Sequence, residues 1–124
     1  MIPELTLTWM SGSQDGGTLR VVAYGSPPCV TLGRMPTCTI CMPQESDASR
    51  EHARLTYREE KWWIEDLGST NGTFVGEFDQ SVRVSSPTPL LPGQIFRLGR
   101  VRFRLELLTS DAIARQQEAQ AMRR

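Results

Sequence analysis

The chain has 124 residues, room for one domain with a sizeable core. Its 14 basic residues balance its 14 acidic ones, which removes any global electrostatic case for nucleic acid or an anionic membrane as partner. No apolar run approaches the roughly 18 residues of a membrane span, and Met1-Ile2-Pro3-Glu4 lacks the basic and apolar regions of a signal peptide, so a cytoplasmic location with reduced Cys29, Cys38 and Cys41 is expected.

In chain order, Leu5, Leu7 and Trp9 alternate with Thr6, Thr8 and Met10 and predict a first strand. A polar, Gly-rich turn over 11–17 leads to a second strand over 19–24, ended by Gly25-Ser26-Pro27-Pro28. Cys29 to Leu32 and Thr39 to Met42 read as short strands, with Gly33-Arg34 delivered by the first. A polar loop follows over 44–51. Ala53 to Arg58 alternates, Glu59-Glu60-Lys61 turns the chain, and Trp62-Trp63-Ile64-Glu65 alternates again, with Trp62 expected in the core and Trp63 partly exposed. Thr73-Phe74-Val75 is β-branched and aromatic, so it too reads as a strand. Residues 77–89 are loop-rich, with a short strand at 81–84. The last strands are 95–98 and 101–108, joined by Gly99-Arg100, and Arg100, Arg102 and Arg104 alternate with Val101, Phe103 and Leu105 as a solvated outer face. Many short strands separated by Gly/Pro turns predict an all-β, two-sheet sandwich of about eleven strands over 1–109. Ser110-Asp111 supplies an N-cap to an Ala-, Gln- and Arg-rich tail over 110–124, expected to be a short docked helix or a frayed end.

The richest stretch is Asp66-Leu67-Gly68-Ser69-Thr70-Asn71-Gly72-Thr73. Asn71-Gly72 is the strongest hairpin signal in the chain, because both residues tolerate positive φ. Upstream stand Gly33-Arg34 and Ser49-Arg50-Glu51-His52; downstream stand Leu90-Leu91-Pro92-Gly93 and Arg97-Leu98-Gly99. Gly-Arg, then Ser-x-x-His, then Asp-Leu-Gly-Ser-Thr-Asn-Gly-Thr, in this order, resembles the forkhead-associated (FHA) domain family over about residues 18 to 108.

The resemblance implies an FHA/SMAD-like β-sandwich that binds phosphothreonine peptides through loops at one end, a non-catalytic module of Ser/Thr kinase signalling whose partner is a phosphothreonine-bearing protein, the kinase or its substrate. A phosphate monoester carries nearly two negative charges and three acceptor oxygens. Arg34 suits it as a planar cation, Ser49 and Thr70 as hydroxyl donors, Arg50 through its backbone N–H or side chain, and Asn71 as an amide that holds the peptide backbone. In the family the residues matching these five line the site. The residue matching His52 braces the loops, and Gly33 and Gly72 fit as backbone-only positions. The family's loop before the Ser-x-x-His block reads the residue three after the phosphothreonine; here that loop contains Asp47, which predicts discrimination against acidic residues and a modest preference for basic ones.

Other readings compete with this one. Ser49, His52 and Asp66 could be drawn as a nucleophile, base and orienter, but no Gly-x-Ser-x-Gly elbow accompanies them. Cys38-Thr39-Ile40-Cys41 has redox or half-zinc spacing without a second pair, and on a strand its two thiols face opposite sides. No cofactor or metal is therefore expected. A rival of another class is a phosphorylation-independent assembly module that uses a sheet face; such modules tend to lose the Arg and Ser contacts that this chain keeps. Two departures from the family pattern stand out: Gly76-Glu77 occupies the usual Asn-Gly hairpin before a loop holding Pro87 and Pro89, and Gln94 replaces the usual acid after Gly93.

Overall fold

The computed structural model describes residues 3–11 and 16–106, so the helix or frayed end expected over 110–124 lies outside the described residues. Among the described residues there are twelve strands: β1 Glu4–Trp9, β2 Thr18–Val22, β3 Tyr24–Gly25, β4 Pro28–Gly33, β5 Ile40–Cys41, β6 Ala53–Arg58, β7 Lys61–Asp66, β8 Thr73–Val75, β9 Val82–Arg83, β10 Thr88–Leu90, β11 Ile95–Leu98 and β12 Val101–Leu105. They form two sheets. One runs β2-β1-β12-β11-β8-β9; the other runs β10-β7-β6-β4-β3, with β5 added to β4. The β4–β5 pair is parallel and the other pairs are antiparallel.

Alternation along the strands fills the space between the sheets. Leu5, Leu7 and Trp9 of β1, Phe96 and Leu98 of β11, and Val101, Phe103 and Leu105 of β12 face inward from one sheet. Val30, Leu32, Leu55, Trp62, Ile64 and Leu90 face inward from the other. Each fully buried side chain of this size contributes roughly 1.5–3 kcal/mol. The Trp9, Phe103 and Phe96 rings lie in series, with centroids 4.5 Å and 5.3 Å apart. Trp62 is buried and Trp63 half-buried, as the alternation of β7 requires. Likewise Ile40 and Met42 face the core, Cys38 is buried, Cys41 is exposed, and all three cysteines are free thiols.

Three features depart from the expectations. The strand expected over 19–24 divides at Ala23, which is buried and donates its N–H to Pro3 O, turning the chain from one sheet into the other. Residues 88–90 form a strand although Pro89 stands in its middle. β10 is an edge strand that pairs with β7 alone, so the missing N–H of Pro89 interrupts no ladder. Asn71-Gly72 does not close a hairpin. β7 and β8 lie in different sheets, and of the two residues Gly72 alone has positive φ, at 86°. The chain there crosses the top of the sandwich.

The strand ends define that top. Leu32, Ala53 and Asp66 are successive partners across β4, β6 and β7, and Leu98 faces Thr73 across β11 and β8. The segments 33–52, 67–72 and 99–100 therefore emerge side by side. No helix among the described residues is long and apolar enough to cross a membrane.

Candidate functional site

The turn after β7 is organised by Asp66. Its Oδ1 accepts the hydroxyls of Ser69 at 2.5 Å and Thr73 at 2.6 Å, and its Oδ2 accepts the N–H groups of Gly68 at 3.0 Å and Ser69 at 2.9 Å. Ser69 Oγ in turn accepts the Gly72 N–H at 2.9 Å. A segment with no ladder of its own thus has its donors satisfied by side chains. Partial burial pushes the Asp66 carboxyl up, but the bonds from the Ser69 and Thr73 hydroxyls and the Ser69 N–H outweigh it and hold the pKa below the ordinary value. Thr70 and Asn71 stand exposed at the apex.

His52 ties this turn to the preceding loop from beneath. It is fully buried, and its Nδ1 accepts the Ser49 N–H at 2.9 Å. The ring proton therefore sits on Nε2, which donates to Gly72 O at 2.9 Å. The same carbonyl accepts the Gly99 N–H at 3.0 Å. Burial lowers the His52 pKa, and the Gly72 carbonyl and Asp66, 4.0 Å away, offset that in part. The imidazole is neutral and both of its nitrogens are engaged by backbone. Ser49 meets it through its N–H rather than its hydroxyl, so no nucleophile–base contact forms.

Above His52 the proposed ligand contacts converge. Ser49 Oγ accepts the Thr70 N–H at 3.0 Å, which leaves the hydroxyl proton of Ser49 for another acceptor. Arg34 is anchored by its N–H to Ser49 O at 3.1 Å and by Nε to Ala48 O at 2.6 Å. Its two Nη groups make no bond among the described residues and are exposed. Asn71 Nδ2 donates to Asp47 O at 2.8 Å, leaving the amide oxygen and one N–H for a ligand. Arg50 is exposed; its carbonyl accepts the Met35 N–H at 3.2 Å and the Cys38 thiol at 3.3 Å. Gly33 is obligatory for space rather than φ: a Cβ there would collide with the Arg50 carbonyl oxygen. Arg34, Ser49, Arg50, Thr70 and Asn71 are thus assembled at one end of the sandwich, with His52, Gly33 and Gly72 below them.

Asp47 lies beside these residues with its carboxylate paired to Arg100 Nε at 3.0 Å, so the loop over 44–48 presents a paired acid. Sequence reasoning missed Arg100 here, as well as Gly99, whose φ is 61° and whose Cβ would sit 2.7 Å from Asp47 O. It also missed Asp66 as the organiser of the turn. The Asp-x-x-Ser spacing, which lets one carboxylate cap the turn that follows it, was the available signal. Gln94 takes up a turn role as well, its Oε1 accepting the Leu91 N–H at 2.7 Å.

The FHA domain family model matches residues 30–99, more than half of the chain. The chain belongs to the FHA domain family. FHA domains are non-catalytic binding modules. The chain is 40% identical over 67 residues to the FHA domain-containing protein FhaB of Mycobacterium tuberculosis; the match covers 52% of this chain and 43% of that relative, so the chain spans less than half of its length. The kinase-interacting FHA domain of the kinase-associated protein phosphatase of Arabidopsis superposes with a TM-score of 0.66 at 25% identity, over 85% of this chain and 93% of that one. The N-terminal FHA domain of Rad53p from S. cerevisiae, solved with a phosphothreonine peptide, superposes with a TM-score of 0.70 over 91% of this chain and 97% of that one; at 19% identity this likeness is one of fold alone.

Proposed function

We propose that the chain is a non-catalytic reader of phosphothreonine that acts in cytoplasmic Ser/Thr kinase signalling, its partner being a phosphothreonine-bearing kinase or kinase substrate. One observation carries this reading. The Arg34 Nη groups and the Ser49 hydroxyl proton are left without an acceptor among the described residues, beside the exposed Thr70, while bonds to Ala48, Ser49, Asp47, His52 and Asp66 hold the loops that carry them. A planar cation beside two neutral donors on a rigid base is the complement of a phosphate monoester. Membership of the FHA family supports the same ligand. A phosphorylation-independent assembly module of the same fold would have no use for this set of donors.

Calorimetric titration with matched phosphothreonine, phosphoserine and unmodified peptide libraries tests the proposal. Phosphothreonine is expected to bind, and to exceed phosphoserine by several-fold, since burial of its γ-methyl is worth about 0.8 kcal/mol. Arg34→Ala should leave the fold intact and weaken binding about ten- to a hundredfold, the loss of a charge-assisted hydrogen bond of roughly 1.5–3 kcal/mol. Binding that ignores phosphorylation, or an Arg34→Ala chain that binds as well as the parent, would place the site elsewhere.

A further inference from the structure

The outer face of the first sheet carries an arrangement that the phosphothreonine reading does not use. Phe74 of β8 pairs with Arg83 of β9 on one side and with Arg97 of β11 on the other, and Arg97 pairs in turn with Arg102 of β12. Paired residues share a face, so an aromatic ring and three guanidinium-bearing residues form one row across four strands. Their sequence neighbours Thr73, Val75, Phe96, Leu98, Val101 and Phe103 are buried, which puts the row outside. Arg97 Cζ lies 4.0 Å from the Phe74 ring centroid, and Arg83 Cζ lies 5.9 Å from it.

The row abuts the recognition loops. Phe74 stands two residues after Gly72, Arg97 stands two before Gly99, and Arg97 Nη1 donates to Gly99 O at 2.5 Å. A Cβ built on Gly72 would sit 3.3 Å from Arg83 Cζ, so that guanidinium lies against the turn whose apex bears Asn71. From Asn71 to Phe74 the chain spans at most about 11 Å. An extended peptide covers that in three or so residues.

The charges of Arg83 and Arg97 are uncompensated among the described residues. Arg20, Arg54, Arg100 and Arg104 each have a carboxylate partner, whereas Arg83 and Arg97 make no ion pair among the described residues. Two guanidinium groups gathered on one ring repel each other unless an anion joins them. Apart from the Arg97 Nη1 bond to Gly99 O, the guanidinium N–H groups of Arg83 and Arg97 have no acceptor among the described residues and are open to a carboxylate or phosphate.

We infer that Arg83 and Arg97, gathered beside Phe74, form a second anion subsite that reads an acidic side chain, carboxylate or phosphate, about two to four residues from the phosphothreonine, at a position other than the one that the Asp47 loop meets. The inference rests on the phosphothreonine reading and narrows its substrate class to peptides with a flanking acid.

The test is an anisotropy titration of the 124-residue chain with three peptide sets that share one phosphothreonine: neutral flanks, a single Glu scanned along both flanks, and a second phosphothreonine scanned likewise. The readout is the affinity of each acidic peptide relative to its neutral parent. At the best position Glu should give a gain of about two- to fivefold and a second phosphate about tenfold, both shrinking as salt is raised. The size of the two gains distinguishes the two sources of the anion. The ratio should fall toward unity in Arg83→Gln and in the Arg83→Gln/Arg97→Gln double variant, and should be kept in Arg20→Gln. A scan with no gain at any position overturns the inference while leaving phosphothreonine binding in place; so does a gain that persists in the double variant. If the neutral phosphothreonine peptides themselves fail to bind, the underlying reading falls and the inference falls with it.

Discussion

Two turns bracket β7, and different forces hold them. At its start, Glu59-Glu60 joins β6 to β7 as a two-residue hairpin, with Arg58 opposite Lys61 and Tyr57 opposite Trp62. Both glutamates have positive φ, 54° and 62°, the pattern of a type I′ turn, although neither is Gly, Asn or Asp. The strands impose that conformation. Tyr57 packs edge-on against Trp62 with centroids 5.2 Å apart, Trp63 Nε1 donates to Arg58 O at 3.1 Å, and the Arg58 guanidinium sits 4.6 Å from the Trp63 ring centroid. At the other end of β7 the chain leaves one sheet for the other over 66–72. No ladder runs through that crossing, so side chains satisfy its backbone: Asp66, Ser69, Ser49 and His52. Where a ladder continues through a turn, residue identity can be spent freely. Where it does not, residue identity is the structure, and the rigidity it produces is what a recognition loop needs.

Breaking the second turn should have the largest effect. Asp66→Ala strips the acceptor from two hydroxyls and two N–H groups at once, and is expected to cost about 3 kcal/mol or more and to abolish phosphopeptide binding. Calorimetric melting and peptide titration read the two losses. Glu59→Ala, at the other end of the same strand, should stay within about 0.5 kcal/mol of the parent and bind normally. Equal effects at the two ends would erase the distinction between them.

Acid titration breaks the same network without mutation. The folded pKa of Asp66 is depressed, so its contribution is complete above the ordinary value near 3.8 and is lost as pH falls through the lower folded value. The folded pKa of His52 is also depressed; the unfolded chain takes up this proton first, so stability begins to decline below about 6.5 and continues to fall until the folded pKa is passed. Urea midpoints from about pH 8 to about pH 3 should therefore descend in two stages, and His52→Gln should remove the upper stage. A flat profile above the carboxylate range in the parent would contradict a buried neutral imidazole.

The first turn offers the opposite test, relief rather than damage. Glu59-Glu60→Asn-Gly places residues that accept positive φ where the chain already adopts it, and should stabilise by roughly 1 kcal/mol, a rise of several degrees in melting temperature, with peptide affinity unchanged. No rise would mean that the strands leave no strain there to relieve.

The contrast also explains what could be read from the chain. That Arg34, Ser49, His52, Thr70 and Asn71 meet at one end of the sandwich was legible because their loops are held by side chains, and a side-chain code survives in sequence. Trp62 and Trp63 were legible through the two-residue period of β7. The Asn71-Gly72 pair misled, since turn chemistry reports which φ a residue tolerates and not which sheet receives the next strand. Pro89 concealed β10, because a missing donor is harmless at a sheet edge that sequence cannot identify. The parallel pairing of Ile40 with Leu32 and the alignment of Arg83 with Phe74 and Arg97 depend on register between distant segments, which no local window contains.

The smallest expected effect lies at Asp47, where both kinds of holding meet. Its carbonyl fastens Asn71 and its carboxylate meets Arg100. The Arg100 side chain is 89% exposed and that of Asp47 35%, so the pair is a surface pair worth roughly 0.2–1 kcal/mol. If this loop reads the residue three after the phosphothreonine, a basic peptide side chain must compete with Arg100 for the carboxylate, and an acidic one meets a charge already half cancelled. The parent should therefore favour a basic residue there by about twofold or less. Arg100→Ala leaves Asp47 unpaired and should widen the gap between basic and acidic peptides, most at low salt; Asp47→Ala should close it, while the carbonyl bond to Asn71 keeps the phosphothreonine contacts in place. A peptide array varied at that position, run on the parent and both variants, reads all three. Selection for Asp or Glu that persists in Asp47→Ala would take the loop out of the recognition of that residue altogether.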